Sequence, residues 1–235
     1  MIKEALNNNR YVFAMQPIFS REGFIEKYES LVRLEVDESK YLKPSDFFKL
    51  AEKGNYFANI LISSLLNAIN FLKIHPDKKV TINISYKDIA EKKTVKLFFE
   101  LLEKQEDKTK ECLIVEFIES YDIKNIDQVV NFCRRLKDND VKISIDDFGI
   151  KNSNFYILSM IKIDYLKIDG HFIKNIDKNK TFLIVQTIID ICKKLNIEVI
   201  AEHIENELNY STLKDMGVDY FQGYYLGKPS IKNSD

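Results

Sequence analysis

Phe24-Ile-Glu-Lys-Tyr-Glu-Ser-Leu-Val-Arg-Leu34 is a run rich in apolar residues that carries Glu29 and Arg33 towards its end. Tyr11 to Phe19 precedes it, and the two are joined by Ser20-Arg21-Glu22-Gly23. Both segments read as strands, and a connection this short predicts a hairpin, so the pair is antiparallel. An acidic and a basic residue around apolar ones is in itself an ordinary strand end. The rest of the chain gives the stretch its meaning. Pro44 opens a helix that Gly54 stops, and a second helix runs from about Tyr56 to Lys73, closed by Pro76. Strands and helices then alternate. Strands are predicted at Val80–Ser85, Cys112–Phe117, Val141–Asp146, Tyr165–Ile168, Ile197–Ala201 and Tyr220–Phe221. The helices between them are Lys93–Lys104, Ile126–Lys137, Asn154–Ile161, Thr181–Leu195 and Glu205–Met216. Repeated β-α alternation implies parallel strands joined by right-handed crossovers. With the hairpin added, the strands come close to eight, which favours a closed α/β barrel over a doubly wound open sheet.

The chain has 235 residues, 45% of them hydrophobic, and a net charge of −1. That is enough for one large domain with a substantial core, predicted to span 1–235, and no Pro/Ser/Gly-rich linker or 20–50-residue repeat divides it. Near-neutral charge argues against a nucleic acid polymer as partner, which needs a basic face. Cys112, Cys133 and Cys192 are odd in number and lack metal-type spacing, so they read as small buried residues in a reducing compartment. The apolar stretch from Phe57 to Leu72 is broken by Asn59, Ser63, Ser64, Asn67 and Asn70 and reads as an amphipathic helix rather than a membrane segment. No signal peptide is read before Tyr11, and the expected location is cytoplasmic. The first strand is expected almost at the start, as in a standalone domain or one cut from a larger protein.

The strand ends are unusual. They carry Asn83, Glu116, Asp146 with Asp147, Lys167, Glu202 and Gln222, with Glu29 on the hairpin strand. In parallel α/β folds the C-terminal strand ends form the site. Side chains alternate faces along a strand, so Thr81 with Asn83, Ile114 with Glu116, Ser144 with Asp146, Tyr165 with Lys167 and Asp169, and Ile200 with Glu202 each share a face. If those faces point inward, one pocket mouth gathers Glu29, Asn83, Glu116, Asp146, Lys167 and Glu202. So many carboxylates cannot all stay ionised together without a cation. Oxygen-only ligands point to Mg²⁺ or Mn²⁺ rather than zinc, and their number to two ions, with Asp146-Asp147 as the bridging pair. The competing reading is that each acid caps the next helix. Glu and Lys are poor caps, which weakens it for Glu116, Glu202 and Lys167.

From Gln16 to Pro229 the chain resembles the EAL domain family of cyclic-di-GMP phosphodiesterases. The motifs are Gln16-Pro17-Ile18, Glu29-Ser30-Leu31-Val32-Arg33, Asn83-Ile84-Ser85, Glu116-Phe117-Ile118-Glu119, Asp146-Asp147-Phe148-Gly149, Lys167-Ile168-Asp169, Ala201-Glu202 with Glu205, and Gln222-Gly223-Tyr224. The resemblance implies a modified TIM (β/α)8 barrel with one antiparallel strand near the N-terminus. It implies hydrolysis of cyclic di-GMP to linear pGpG by a water that two metal ions activate. By that analogy Glu29, Asn83, Glu116 and Asp146 hold one ion, and Asp146, Asp147 and Glu202 the other. Glu29 and Glu202 count with Lys167 as catalytic, Lys167 positioning or helping to deprotonate the water. Gln16, Leu31, Arg33, Glu205 and Gln222 are the implied substrate contacts, Arg33 on a phosphate. Tyr224 and Tyr225, near the site mouth, are candidates to touch a guanine base. The resemblance further implies that Glu119 braces the loop after Asp147 and that Asp169 holds Lys167. A homodimer and a regulatory sensor or GGDEF-type domain are the partners the family suggests.

The chain departs from that pattern in two places. After Asp-Asp-Phe-Gly it reads Ile150-Lys151-Asn152-Ser153 where the family usually has Thr/Ser-Gly-Tyr-Ser. Misplacement of catalytic groups by about 1 Å can cost on the order of a hundredfold in rate. The alternative function is therefore a weakly active or inactive cyclic-di-GMP receptor. His203 stands where Gly is usual, and reads as a packing residue with one hydrogen bond rather than as a metal ligand. Two further readings, an interaction protein without nucleotide and a paired-carboxylate glycosidase, fit Asn83, Lys167 and the adjacent Asp146-Asp147 less well.

Overall fold

The structure is a computed structural model that describes residues 1–38, 40–117, 126–149 and 155–231. The hairpin forms as expected: β1 (Tyr11–Ser20) and β2 (Ile25–Asp37) pair antiparallel, with Gln16 opposite Glu29. A short strand, β3 (Lys40–Leu42), folds back on β2 with Leu34 opposite Leu42. Then come α2 (Pro44–Lys53), α3 (Phe57–Ile74), β4 (Lys79–Ile84), α4 (Tyr86–Ala90), α5 (Lys92–Leu102), α6 (Asp107–Glu111) and β5 (Leu113–Phe117). The second half comprises α7 (Ile126–Asp138), β6 (Lys142–Phe148), α8 (Phe155–Met160), β7 (Tyr165–Ile168), α9 (Gly170–Lys174), α10 (Asn179–Leu195), β8 (Glu198–Ala201), α11 (Glu207–Met216) and β9 (Tyr220–Phe221).

The strands are hydrogen-bonded in the order β1-β9-β8-β7-β6-β5-β4-β2-β3, and the β1–β2 pairing closes the ring. Eight strands make the barrel and β3 hangs on its outside. Strand β1 alone runs against both of its neighbours in the ring, and the others are parallel in succession. The barrel with one antiparallel strand near its N-terminus is therefore present.

Some short elements differ from the sequence reading. Before β1 the chain forms a helix, α1 (Ile2–Asn7), so the first strand does not come at once. Ala5 and Leu6 of α1 are buried with Val32, Leu34, Phe47, Ala51 and Ile60. Six residues are too few to display a helical period, and α1 exists because this apolar cluster docks it. The same shortness hid β3, α4, α6 and α9. The last helix starts at Glu207 rather than Glu205, because the Asn206 side chain accepts a hydrogen bond from Asn209 N and caps it there.

Helix α3 is long and apolar enough to cross a membrane by length and composition. Here Leu61, Leu65, Ala68, Ile69 and Leu72 are buried in the core shared with β4 and β5. The main core lies between barrel and helices and contains Ile82, Val115, Ile143, Leu166 and Val199. Burial of each such side chain stabilises by about 1.5–3 kcal/mol.

Residues of the opposite parity fill the barrel. Ile18, Ile114, Tyr165, Ile200 and Tyr220 form a separate apolar layer. Two residues further along the parallel strands, the same face presents Glu116, Lys167, Glu202 and Gln222. Lys27 occupies the same lower layer two residues before Glu29. It is fully buried, its Nζ has no hydrogen-bond partner among the described residues, and the amine lies 2.7 Å from the Tyr220 ring centroid and 4.9 Å from that of Tyr165. Burial first, then the Lys79 charge, pushes Lys27 down to a pKa of about 7.

Candidate active site

Above the apolar layer, one ammonium group is ringed by acids. Lys167 Nζ lies 2.7 Å from Glu116 Oε1, 2.8 Å from Glu202 Oε1, 3.3 Å from Glu29 Oε2 and 3.9 Å from Asp146 Oδ1. The parity argument explains how five strands meet here: β2 brings Glu29 from its first half, β5 Glu116, β6 Asp146, β7 Lys167, and Glu202 follows β8 directly.

Neutral groups fix the acids in turn. Asn83 Nδ2 donates to Glu29 Oε1 at 2.8 Å, and Gln222 Nε2 to Glu29 Oε2 at 2.8 Å. Ser144 Oγ donates to Glu116 Oε2 at 2.9 Å. The backbone N–H of Asp147 donates to Asp146 Oδ1 at 2.8 Å. Asp147 itself has φ +51°, in the left-handed region that L-residues enter at a cost of roughly 1–2 kcal/mol. Gly149, at φ +102°, leaves its Cα face to the Phe172 ring of α9, and a Cβ there would lie 2.4 Å from that ring. Glycine is thus required at this turn of the loop, just past β6.

The electrostatics follow from burial and crowding. Burial raises the Glu29 carboxyl, but Lys167 and the Asn83 and Gln222 amides outweigh it and hold it below the usual range. Glu116 is pushed up to about 8 by burial and by the Asp146 and Glu29 charges, which Lys167 only partly offsets. Glu202 is raised for the same reasons. Burial alone would lower Lys167, and its carboxylate neighbours raise it instead. One ammonium is too little positive charge for these acids.

That deficit is the test of fit for divalent cations. Asp146, Asp147 and Glu202 each offer an oxygen, all within 4.8 Å of one another. The donors are oxygens throughout, the set that suits Mg²⁺ or Mn²⁺. Glu29, Asn83 and Glu116 adjoin the same group through the contacts above.

A cavity of about 350 Å³ opens beside the acids, its wall including Gln16, Leu31, Arg33, Glu205 and Gln222. All five residues expected to contact substrate are there. Gln16 Nε2 donates to Gly227 O at 3.2 Å, and Gln222 is also committed to Glu29. Glu205 Oε1 is 2.9 Å from Lys174 Nζ. Tyr224 lines the cavity too, while the Tyr225 ring lies beside that of Tyr210. Lys43 is a further wall residue, and nothing in the sequence pointed to it. His203 lies on the same wall at φ +52°, its ring packed against Gly170, where a Cβ would lie 2.6 Å from it.

Asp169 departs from expectation. It does not hold Lys167, which the four acids hold. Strand β7 ends at Ile168, and the Asp169 carboxylate turns to accept the His171 N–H at 2.6 Å, capping α9. Glu119 and the Ile150–Asn152 loop lie outside the described residues. Ser144 shares a face with Asp146 as read, but its role as a brace for Glu116 is visible only across strands β5 and β6.

An EAL domain family match covers residues 1–229. The chain belongs to the EAL domain family. The EAL domain protein of Listeria monocytogenes EGD-e superposes with a TM-score of 0.90 at 29% identity, over 98% of this chain and 92% of that one. The PaMucR phosphodiesterase in its c-di-GMP complex gives 0.87 at 28% identity, over 97% and 95%. In sequence, the Shewanella oneidensis protein named cyclic di-GMP phosphodiesterase PdeB is 29% identical over 97% of this EAL chain. This chain spans only 27–32% of the length of PdeB and two Escherichia coli relatives, PdeF and PdeA.

Proposed function

We propose that this EAL domain, 1–235 as a single unit, hydrolyses cyclic di-GMP to linear pGpG with the help of two Mg²⁺ or Mn²⁺ ions. The observation that carries the reading is the convergence of Glu29, Glu116, Asp146 and Glu202 on Lys167, next to a cavity that includes Arg33. Relatives named cyclic di-GMP phosphodiesterases and a similar structure named as a c-di-GMP complex support it.

Glu29, Asn83, Glu116 and Asp146 would hold one ion, and Asp146, Asp147 and Glu202 the other. When bound, such ions supply Lewis-acid activation of water and neutralise phosphate charge. The chain's own residues do the rest. Asn83 and Gln222 orient both oxygens of Glu29, and Ser144 orients Glu116. Lys167 is buried and cannot leave the acids, so it presents fixed positive charge to phosphate oxygens as charge develops on them. It would also orient the attacking water. Arg33 would take a phosphate, and Gln16, Leu31 and Glu205 the nucleotide around it. A regulatory sensor or GGDEF-type domain, a homodimer and a cytoplasmic location complete the proposal for the longer protein such a domain serves.

The test is incubation with cyclic di-GMP and Mg²⁺ or Mn²⁺, with products followed by chromatography. Steady appearance of pGpG is expected. Tight binding without product would make the chain a receptor, and neither binding nor product would overturn the reading.

A further inference from the structure

The acids on the cavity wall each have a cationic partner, though Glu29 and Glu202 must share theirs. Glu29 and Glu202 pair with Lys167, and Glu205 with Lys174. The cations on that wall have no such partner among the described residues. Arg33 Nη1 donates to the carbonyl of its neighbour Val32 and meets no carboxylate, and Lys43 forms no side-chain ion pair or hydrogen bond among the described residues. Arg33 and Lys43 are therefore the cations of this wall without an ion pair among the described residues.

The fold puts these two cations together. Strands β2 and β3 pair antiparallel with Leu34 opposite Leu42 and Glu35 opposite Tyr41. Continuing that register by one residue sets Arg33 opposite Lys43, whose backbone remains extended (φ −80°, ψ 160°). Residues directly opposite on antiparallel strands project to the same face, with Cβ atoms about 4.5–5.5 Å apart, and like charges there are destabilising. The Lys43 backbone is anchored as well, its N–H donating to Asp46 Oδ2 at 3.0 Å at the start of α2. An unfavourable pair of cations is thus built into the wall of this cavity. Arg33 lies four residues beyond Glu29, roughly 13 Å along the strand. The pair thus shares the cavity wall with Glu29 and Glu202 while standing further along β2 than Glu29.

We propose that Lys43 is a second phosphate-binding residue, acting with Arg33 across the β2–β3 hairpin to grip the phosphodiester of a cyclic dinucleotide that is not being cleaved. The inference rests on the functional reading above. It makes Lys43 a specificity residue: a substrate with a single phosphodiester, such as a linear dinucleotide without a 5′-phosphate, gives the pair nothing to hold once its one phosphate sits at the acids.

The test is titration of cyclic di-GMP in Ca²⁺ against wild type, Lys43→Ala, Lys43→Glu, Lys43→Arg and Arg33→Ala, at several salt concentrations. Loss of a charge-assisted phosphate contact predicts binding about 10- to 100-fold weaker for Lys43→Ala and weaker again for Lys43→Glu. Lys43→Arg should retain most affinity. The salt dependence of binding should flatten in Lys43→Ala, and its melting temperature should be no lower than wild type because a like-charge contact is relieved. A merely structural lysine would instead lower the melting temperature. Wild-type affinity in Lys43→Ala and Lys43→Glu overturns this inference alone. Failure of the wild type to bind cyclic di-GMP overturns the functional reading beneath it.

Discussion

Lys167 Nζ and Glu116 Oε1 face each other at 2.7 Å, with both side chains about 1% exposed. A buried pair of this kind is poorly replaced from one side only. Lys167→Met would leave Glu116, Glu202, Glu29 and Asp146 without their shared cation. Breaking a buried pair costs about 3–5 kcal/mol. The expected result is a lower melting temperature without divalent ions, and a larger rise on adding Mn²⁺ than in the wild type. Turnover should fall by about 10²–10³-fold if Lys167 supplies transition-state charge. Calorimetry with and without Mn²⁺ checks the first part, and unchanged melting would refute the account of the ring of acids.

Glu29 has three side-chain partners in the site: Asn83, Gln222 and Lys167 all reach it. Glu29→Ala leaves two amides and an ammonium without their acceptor and removes a proposed ligand. Turnover of cyclic di-GMP should vanish in Mg²⁺ and in Mn²⁺, while circular dichroism remains that of the folded barrel. Hydrolysis at the wild-type rate would falsify the assignment of Glu29.

The raised carboxyls give a pH dependence with a definite sign. A carboxyl whose folded pKa lies above its unfolded one favours folding when protonated. For Glu116, folded at about 8 against an ordinary 4.5, stability falls as pH rises between those values and then levels off. Glu202 acts in the same direction, while Glu29, held low, has the opposite slope only below the ordinary carboxylate range of about 4.5 and is silent between pH 5 and 8. Urea titrations without metal at pH 5 and pH 8 should show the domain less stable at pH 8. Saturating Mg²⁺ should remove most of the difference, because ion binding replaces the protons. An unchanged slope with Mg²⁺ present would mean that these acids do not bind it.

Lys27 predicts the opposite slope at the other end of the barrel. Its folded pKa of about 7 lies below the ordinary 10.5, so the fold favours the neutral amine. Stability from this group is full above about pH 10.5, declines as pH falls toward 7 and is flat below. The ring faces of Tyr220 and Tyr165 recover part of the loss. Lys27→Met replaces an unpartnered buried amine with an apolar chain of similar reach, and should stabilise by about 1–3 kcal/mol near neutral pH. The gain should shrink above pH 10, and a loss of stability on substitution would show that the ammonium is well solvated by the rings.

The barrel was legible because strand parity is a strict rule. Once Glu116, Asp146, Lys167 and Glu202 are seen to share faces with Ile114, Ser144, Tyr165 and Ile200, their meeting needs only a closed ring. Lys27 obeys the same parity two residues before Glu29. Yet a lysine near a strand's start reads as one that reaches solvent, and the rings that cover it come from β7 and β9. Helix α1 and strand β3 were hidden by being shorter than the periods that betray helices and strands. Asp169 escapes the rule because parity says nothing of a residue past the end of its strand, where the cap of α9 takes it over.

A ring of strands has no terminal member to offer. Among the described residues β3 alone has a single neighbour in this sheet, and it is three residues long, with Lys40 and Tyr41 exposed and Pro44 following. Another chain seeking a template for strand addition finds, among the described residues, only this three-residue stub. When one copy of this domain meets another, or meets a neighbouring domain, they must recognise each other through side chains on helices and loops. Such contacts can form and part without unravelling the sheet, and the misassembly to which exposed strand edges lead is closed off from the start.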